Sequence, residues 1–260
     1  MRAVITTLLF ALSAIAQQSD PIIETARAGA VHYSQSIPNY LVSRATVRYK
    51  AKPAGKLVSL AGVFNWQQTD SVAAEVASQA NREVYSDIRI NGKPSKELPR
   101  EGIWSNGEFS TLLDEVLNPA HRAVFKDREF DTAQARPAWR YHFEIDQKHS
   151  GWDMIGDSPT SYERVRIAPR YSGSIWIDRE TGKVLRIEKS AQSVPRRFPL
   201  QLIESSTDYS LVPIGDTNYM LPVHTQTITC TRRDVICYKN ETVFENYRKF
   251  DASATITYEK

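Results

Sequence analysis

The sequence of 260 residues contains only 2 cysteines and no run of five or more basic residues. Its 33 Lys and Arg residues are almost balanced by 30 Asp and Glu residues, which leaves a formal net charge of +3. Proteins that bind nucleic acid or an anionic lipid surface usually carry a concentrated basic patch or segment. The charge pattern therefore predicts neither of these partners, and the identity of any protein partner stays open.

Sequence motifs of the common enzyme classes are also missing. The chain has no G-x-S-x-G elbow, no Walker loop, no G-x-G-x-x-G and no H-E-x-x-H or EF-hand pattern. The five histidines are scattered without the paired spacing of a zinc site. They are His32, His121, His142, His149 and His224. We predict no catalytic residue, no cofactor and no metal site from these patterns.

The N terminus is apolar and carries little charge. Residues 1–16 carry a single charge, Arg2, followed by a short apolar centre and the exit Ala14-Ile15-Ala16. This is the pattern of a secretory signal peptide, cleaved near Ala16, and its centre is too short to cross about 30 Å of hydrocarbon. We predict that residues 17–260 form a single periplasmic or secreted domain without a membrane span.

The two cysteines, Cys230 and Cys237, lie in two β-prone arms joined by Arg232-Arg233-Asp234. With the turn centred on Arg233 and Asp234, the cysteines face each other as a non-hydrogen-bonded pair, whose close spacing suits a disulfide. A redox pair or half of a metal site is the alternative. Because six residues separate the cysteines and none is a histidine, we favour a structural disulfide.

Two segments show helical periodicity. In the first, Asp20 can cap a helix that starts at Pro21, and apolar residues recur every three or four positions until Pro38. In the second, Ser105-Asn106-Gly107-Glu108 has the form of a capping box. Apolar residues then follow at helical spacing until Asn118-Pro119. The sequence predicts two helices.

Most of the remaining chain alternates apolar and polar residues with a period of two, which predicts about ten strands. The clearest strand contains Trp139, Tyr141 and Phe143, and hairpins are predicted at Asn91-Gly92 and over residues 171–188. In the strand that begins at Tyr40, the apolar phase is predicted to be that of Leu41, Ala45, Val47 and Tyr49. Further strands are predicted at 203–214, 219–230, 235–246 and 253–259.

Because the turns are short and long crossovers are missing, we predict a mainly antiparallel β protein with two helices (α+β). A sheet of this size must curl in order to bury its apolar face. The predicted architecture is a strongly curved open sheet or half-barrel, with the helices packed on its concave face.

Several short segments together resemble a bacterial family of exported proteins related to the outer-membrane lipoprotein carrier, the LolA-like fold. The segments are Ile37-Pro38-Asn39-Tyr40, Gly107-Glu108-Phe109, 171–178 with 181–188, Tyr219-Met220-Leu221-Pro222 and 244–250. The resemblance spreads over most of residues 20–260. It implies an unclosed antiparallel barrel covered by helices, whose relatives use the enclosed space for acyl chains or for sensing envelope stress. It also implies a binder without enzymatic activity.

The leading hypothesis is therefore an exported binding protein that holds a hydrophobic or lipidic ligand between helices and sheet. Apolar residues of the helices and aromatic residues of the sheet would line the site. The candidates are Phe109, Leu112, Leu113 and Val116, with Ile23 and Ala30 beside them, and Trp139, Tyr141 and Phe143. The alternative for each aromatic residue is that it simply fills the core.

Two other hypotheses stay open. One is a protein–protein module, such as an envelope sensor or scaffold, with a filled core. The other is a hydrolase built on paired carboxylates, whose separation a sequence alone does not give. His142 and Glu144 share the polar face of one predicted strand, either as an acid–base pair or as a solvated ion pair.

Overall fold

The computed structural model describes residues 20–53, 64–79, 82–99, 111–159, 161 and 163–250. These ranges contain two α-helices, thirteen strands and two short 3₁₀ turns. The helices are α1 (Pro21–Ser36) and α2 (Thr111–Leu117). The strands are β1 (Tyr40–Ala51), β2 (Gln67–Gln79), β3 (Arg82–Ile90), β4 (Lys93–Pro94), β5 (Val124–Ala133), β6 (Arg136–Ile145), β7 (Met154–Asp157), β8 (Arg164–Ile167), β9 (Arg170–Asp178), β10 (Val184–Gln192), β11 (Leu200–Ile214), β12 (Thr217–Thr231) and β13 (Cys237–Lys249). The predicted signal peptide lies outside the described residues.

Eleven of the described strands form one sheet in the order β4-β3-β2-β1-β13-β12-β11-β10-β9-β6-β5, and β7 pairs with β8 separately. Every pair is antiparallel. Within the described ranges the outermost strands β4 and β5 do not pair with each other, so the sheet is not closed into a barrel. The predicted class, a large open antiparallel sheet with two helices, is confirmed. Its strong curvature and the concave position of the helices stay predictions.

Helix α1 begins where its capping signals predict. The Ile22 N–H donates to Asp20 Oδ1 at 2.9 Å, and the Glu24 N–H donates to the Asp20 carbonyl at 3.0 Å. Ile23 and Ala26 are buried, which places one face of the helix in the core. The helix ends at Ser36 because Pro38 disfavours helical geometry in the residue before it.

Helix α2 is confirmed in its described part, whereas residues 105–110, including the predicted capping box, lie outside the described residues. Leu112, Leu113, Val116 and Leu117 are all buried. The helix ends at Leu117, where the predicted Asn-Pro stop follows. These four side chains give a helix of two turns a continuous apolar face.

In strand β1, the predicted apolar phase is wrong. From Tyr40 to Arg48 the buried residues are at the even positions and include Arg44, Thr46 and Arg48, at 3%, 1% and 7% exposure. Ala45, in the predicted apolar phase, is exposed. The apolar residues of the strand therefore do not determine which of its faces is buried.

Polar partners on neighbouring strands explain this reversal. Arg48 makes a bidentate ion pair with Asp70 of β2, with distances of 2.6 and 2.7 Å. The hydroxyls of Thr46 and Thr242 on β13 lie 2.9 Å apart. Because buried polar groups cost little free energy once they are paired, the strand can bury them in place of Ala45 and Val47.

The hairpin of β12 and β13 contains the predicted disulfide. Cys230 and Cys237 are paired across the hairpin and bonded, with a Cα–Cα distance of 4.0 Å. The Thr231 N–H donates to the Ile236 carbonyl at 2.8 Å just beyond them. The prediction of a structural disulfide is confirmed, and it fits an exported protein.

Three strands were not predicted. Strand β5 has mostly exposed residues and shows no regular alternation in burial, so it lacks the signal on which the prediction depends. Strands β7 and β8 have only four residues each. The predicted strand at 253–259 lies outside the described residues.

The turn between β9 and β10 forms where the sequence predicts it and is organised by Asp178, which is 2% exposed. Asp178 Oδ1 accepts hydrogen bonds from the Thr181 N–H and hydroxyl, both at 2.8 Å, and Oδ2 accepts from Arg136 Nε at 2.7 Å. Burial by itself opposes ionisation, but these hydrogen bonds outweigh it. The pKa of the Asp178 carboxyl therefore lies below its usual range.

We expect Asp178→Asn to lower the free energy of unfolding by about 1–3 kcal/mol near neutral pH, because hydrogen bonds to a buried charge are lost. A carboxyl with a depressed folded pKa contributes stability above its unfolded pKa of about 4. That contribution is lost as the pH falls through the folded pKa. Urea unfolding at several pH values should therefore show the two proteins converging in acid. Asp216→Asn, in an exposed turn, is the control, and a difference that persists in acid would contradict the prediction.

Candidate functional site

The described ligand-binding candidates lie together on one face of the sheet, which we call the helix face because α1 and α2 share its apolar cluster. Leu112, Leu113 and Val116 contribute from α2, and Tyr141 and Phe143 from β6. These five are at most 5% exposed. Two more candidates, Trp139 and Ala30, are partly buried against the same cluster, and Ile23 belongs to it. Phe109 lies outside the described residues.

Aromatic rings form the centre of the helix face. The Phe143 ring meets the Tyr171 ring edge-on, with centroids 6.3 Å apart, and lies 6.3 Å from the Phe125 ring at a tilt. The Trp152 ring meets Tyr171 edge-on at 5.5 Å. Such arrangements stabilise aromatic pairs beyond the burial of their area. The strand and helix residues thus form one continuous apolar layer.

Two tyrosine hydroxyls tie the sheet to the helices. The Tyr141 hydroxyl donates to Asp20 Oδ2, at the start of α1, at 2.8 Å. Burial and this hydrogen bond raise the pKa of Tyr141 to about 12. The Tyr171 hydroxyl donates to the Glu115 carbonyl in α2 at 3.2 Å, and burial raises the pKa of Tyr171 as well. Both phenols therefore stay protonated and act as hydrogen-bond donors at neutral pH.

A buried ion pair also holds α2 on the sheet. Lys189 Nζ of β10 lies 2.5 Å from Glu115 Oε2, and the two side chains are 7% and 13% exposed. The ammonium also lies 4.0 Å from the centroid of the Trp152 ring. Sequence reasoning did not single out Lys189. The signal was present, because Lys189 follows Ile187 by two residues and so shares its buried face.

The opposite face of the sheet carries a polar groove with a volume of about 440 Å³. Its first row of side chains crosses five strands through the register of the sheet. In this row His142 of β6 is paired with Ser174 of β9, Ser174 with Glu188 of β10, Glu188 with Ser206 of β11, and Ser206 with Gln226 of β12. These five residues line the groove.

The second row of the groove lies beside the first. Ser172 of β9 is paired with Ser190 of β10, Ser190 with Glu204 of β11, and Glu204 with Ile228 of β12. In the first row Ser174 and Ser206 stand between longer side chains, and in the second row Ser172 and Ser190 are neighbours. The serines form the floor of the groove because they project little above the backbone.

Charged groups of the groove are held in fixed positions. Arg186 Nε donates to Glu188 Oε1 at 2.8 Å, and Arg186 Nη1 donates to Asp208 Oδ1 at 2.6 Å. The Ser190 hydroxyl donates to Glu204 Oε1 at 3.3 Å. Burial, together with the nearby charge of Glu188, raises the pKa of the Glu204 carboxyl above its usual range.

Glu144 lies beside this groove in a network of surface ion pairs. It accepts from Lys126 Nζ at 2.7 Å and from Arg170 Nη2 at 2.9 Å, whereas His142 Nε2 is 3.7 Å away. The hydrogen bonds from Lys126 and Arg170 hold the pKa of Glu144 below its usual range. This arrangement favours the solvated ion pair over an acid–base pair of His142 and Glu144.

Glu188 and Glu204 are diagonal neighbours on adjacent strands, since Glu188 is paired with Ser206 and Glu204 with Ser190. A carboxylate-based hydrolase needs two carboxyl groups in one cleft. The hydrolase hypothesis stays a prediction. Within the groove it would depend on Glu188 and Glu204.

The described residues show neither a metal-binding cluster nor a membrane-spanning helix. No group of three or more His, Cys, Asp or Glu side chains there could hold a metal ion. Among the helices in these ranges, none has the length and apolar character needed to cross a membrane.

Comparison with known proteins gives little further information. No family model matches the sequence, and no curated protein matches it. A solved structure similar to this chain is a domain from Vibrio parahaemolyticus described as an outer membrane lipoprotein-sorting protein domain. The two share 9% identity at a TM-score of 0.37, over 90% of this chain and 95% of that domain. An identity and a TM-score this low establish neither a shared family nor a shared function.

Proposed function

We propose that this chain is an exported, non-enzymatic binding protein of the cell envelope that holds a hydrophobic or lipidic group between its helices and its sheet. The export pattern of residues 1–16 and the disulfide support the location. The observation that carries the proposal is the apolar layer shared by α2 and the sheet. Leu112, Leu113 and Val116 lie there against aromatic side chains that an acyl chain would also contact.

We expect such a ligand to displace α2, because an acyl chain can bury the same apolar surface of the sheet that α2 buries. Each Å² of apolar surface removed from water contributes about 25 cal/mol, whether a leucine side chain or an acyl chain covers it. The Lys189–Glu115 pair directs α2 to one position, but a buried ion pair adds little net stability because both charges lose their hydration. Moving α2 away would return the Glu115 carboxylate to water, whereas the Lys189 ammonium would stay on the sheet and would need water or a polar head group of the ligand beside it.

Binding of a fluorescent fatty acid to delipidated protein tests this proposal. We expect saturable binding, and we expect native mass spectrometry of untreated protein to show a retained lipid. Val116→Thr places a hydroxyl in the apolar layer at nearly constant volume and should weaken binding about tenfold. Val243→Thr makes the same change at a site that is 39% exposed, and it should leave binding unchanged.

Two results would overturn the proposal. One is wild-type protein that retains no lipid and binds no fatty acid. The other is equal binding by Val116→Thr and wild type, with both shown to be folded by circular dichroism. Because the first result needs no variant, the proposal can be tested even if Val116→Thr does not fold.

An exposed aromatic patch favours a second candidate, a protein–protein module. Phe130 on β5 is 60% exposed, and the Arg179 guanidinium lies 5.2 Å from its ring and 4.9 Å from the Trp139 ring. Within the described ranges β5 pairs only with β6, so its other edge could accept a strand of a partner. Protein purified without lipid, together with a stable partner that Phe130→Ser releases, would favour this candidate.

A further inference from the structure

The polar groove on the face opposite the helices is a second concave site, separate from the proposed lipid site. Its volume of about 440 Å³ lies within the range of small-molecule sites, about 300–1,000 Å³. The chain at Lys189 contributes to both faces, because the Lys189 side chain pairs with Glu115 on the helix face while Lys189 and its neighbours Glu188 and Ser190 are among the residues that line the groove. A ligand in the groove would contact neither helix.

The two rows of the groove consist mainly of polar side chains. Ile228 supplies the apolar side chain of its two rows, and the remaining members are hydroxyl, carboxyl, amide and imidazole groups. Covering these groups with hydrocarbon would remove their water without replacing its hydrogen bonds, which disfavours an acyl chain in these rows. The groove therefore selects a ligand that itself both donates and accepts hydrogen bonds.

Donors and acceptors are interleaved along the groove. Carboxylates accept hydrogen bonds through two oxygens, an amide both donates and accepts, and a serine hydroxyl does the same. Glu188 and Glu204 stand on adjacent strands, with Ser190 and Ser206 opposite them and Gln226 at one end. The acceptors therefore lie on both sides of the serine floor. A ring that bears several hydroxyl groups can donate hydrogen bonds to acceptors on both sides at once.

The acceptors are also pre-organised. Glu188 is held by Arg186, which is itself anchored on Asp208. Glu204 is half-buried and receives one hydrogen bond, from Ser190. Its burial removes water from the carboxylate and raises its pKa, so a ligand hydroxyl that donates to it would replace that water.

We propose that this groove binds a polyhydroxylated ligand of the size of a mono- or disaccharide. Glu188 and Glu204 accept hydrogen bonds from the ligand hydroxyls, and Gln226 supplies an amide that can donate to a ligand oxygen. The serine floor allows the ligand to lie close to the sheet. The inference does not depend on the proposed lipid function, because the two sites lie on opposite faces.

Titration of ¹⁵N-labelled full-length protein with sorbitol, maltose and chitobiose, followed by NMR, tests the proposal. We expect at least one probe to cause saturable amide shifts confined to residues 172–174, 188–190, 204–206 and 226–228. Glu204→Gln keeps the shape but removes the charge, and should weaken binding about tenfold or more. Ser206→Leu should abolish binding, because the larger leucine side chain would fill the groove that Ser206 lines.

Matched controls make the outcome decisive. Glu245→Gln changes an exposed carboxyl elsewhere in the sheet and should bind like wild type. Octanoate should leave the groove signals unmoved, and shifts over residues 112–117 would report on the lipid site instead. The absence of saturable shifts with all three probes would overturn the proposal. Unchanged binding by Glu204→Gln and Ser206→Leu would also overturn it.

Discussion

Replacement of Lys189 by methionine is expected to lower the free energy of unfolding by about 3–5 kcal/mol. The change leaves the Glu115 carboxylate 13% exposed without the ammonium that lies 2.5 Å away in the wild type. Methionine has nearly the same length as lysine, so the packing on Trp152 is largely retained and the loss reports on the charge. Urea unfolding followed by tryptophan fluorescence measures it.

A double variant distinguishes the effect of the two charges on stability from the effect of side-chain packing at the same positions. Lys189→Met with Glu115→Leu removes both buried charges, and we expect it to recover most of the lost stability, because apolar residues often replace a buried pair without cost. Lys148→Met, at an exposed position, should change stability little. A Lys189→Met protein as stable as the wild type would show that the pair does not hold α2 in place.

Gly173→Ala is the second substitution with a large expected effect. A Cβ atom at Gly173 would lie 1.8 Å from the carbonyl oxygen of Glu188 and 2.9 Å from the Cα atom of Lys189. Both contacts are with the backbone of the neighbouring strand β10, which cannot rotate away as a side chain can. These two strands, which each have a neighbour on both sides, would have to separate, and we expect the free energy of unfolding to fall by about 3 kcal/mol or more.

Thermal and urea unfolding measure this loss, and Gly29→Ala is the control. Gly29 lies in the middle of α1 with open space around its Cα, so alanine should stabilise the protein there by about 0.5–1 kcal/mol. The same chemical change is thus expected to act in opposite directions at the two positions. A Gly173→Ala protein with wild-type stability would show that β9 and β10 can move apart at little cost.

Structure that depends on near neighbours in the chain was predictable. Asp20, Pro21 and a helical period placed α1, and the hairpin after Ile90 followed from Asn91-Gly92, both of which have positive φ. The Cys230–Cys237 disulfide followed from the turn between its two arms. In each case the groups that interact lie within a few residues of one another, so their order in the chain carries the information.

Structure that depends on distant partners was not predictable. The prediction of which face of β1 is buried was wrong. Asp70 and Thr242, on neighbouring strands, stabilise Arg48 and Thr46 in the buried positions. The alternation of apolar residues along a strand does not show that a charged side chain will be paired, and so can be buried, by a partner 22 residues away. Lys189 was passed over for the same reason, since its partner Glu115 lies 74 residues away.

The sequence by itself determined the fold class, a run of antiparallel strands with two helices, because strands and helices depend on local periodicity and capping. It also determined the disulfide hairpin, because the turn between the two cysteines is local. The pattern of residues 1–16 predicts export. The sequence also named several of the apolar residues that the helix face brings together, among them Leu112, Val116 and Phe143. Only the tertiary structure assembled the polar groove, whose two rows take residues from strands between β6 and β12. The register of a sheet decides which side chains become neighbours across strands, and that register is set by long-range pairing.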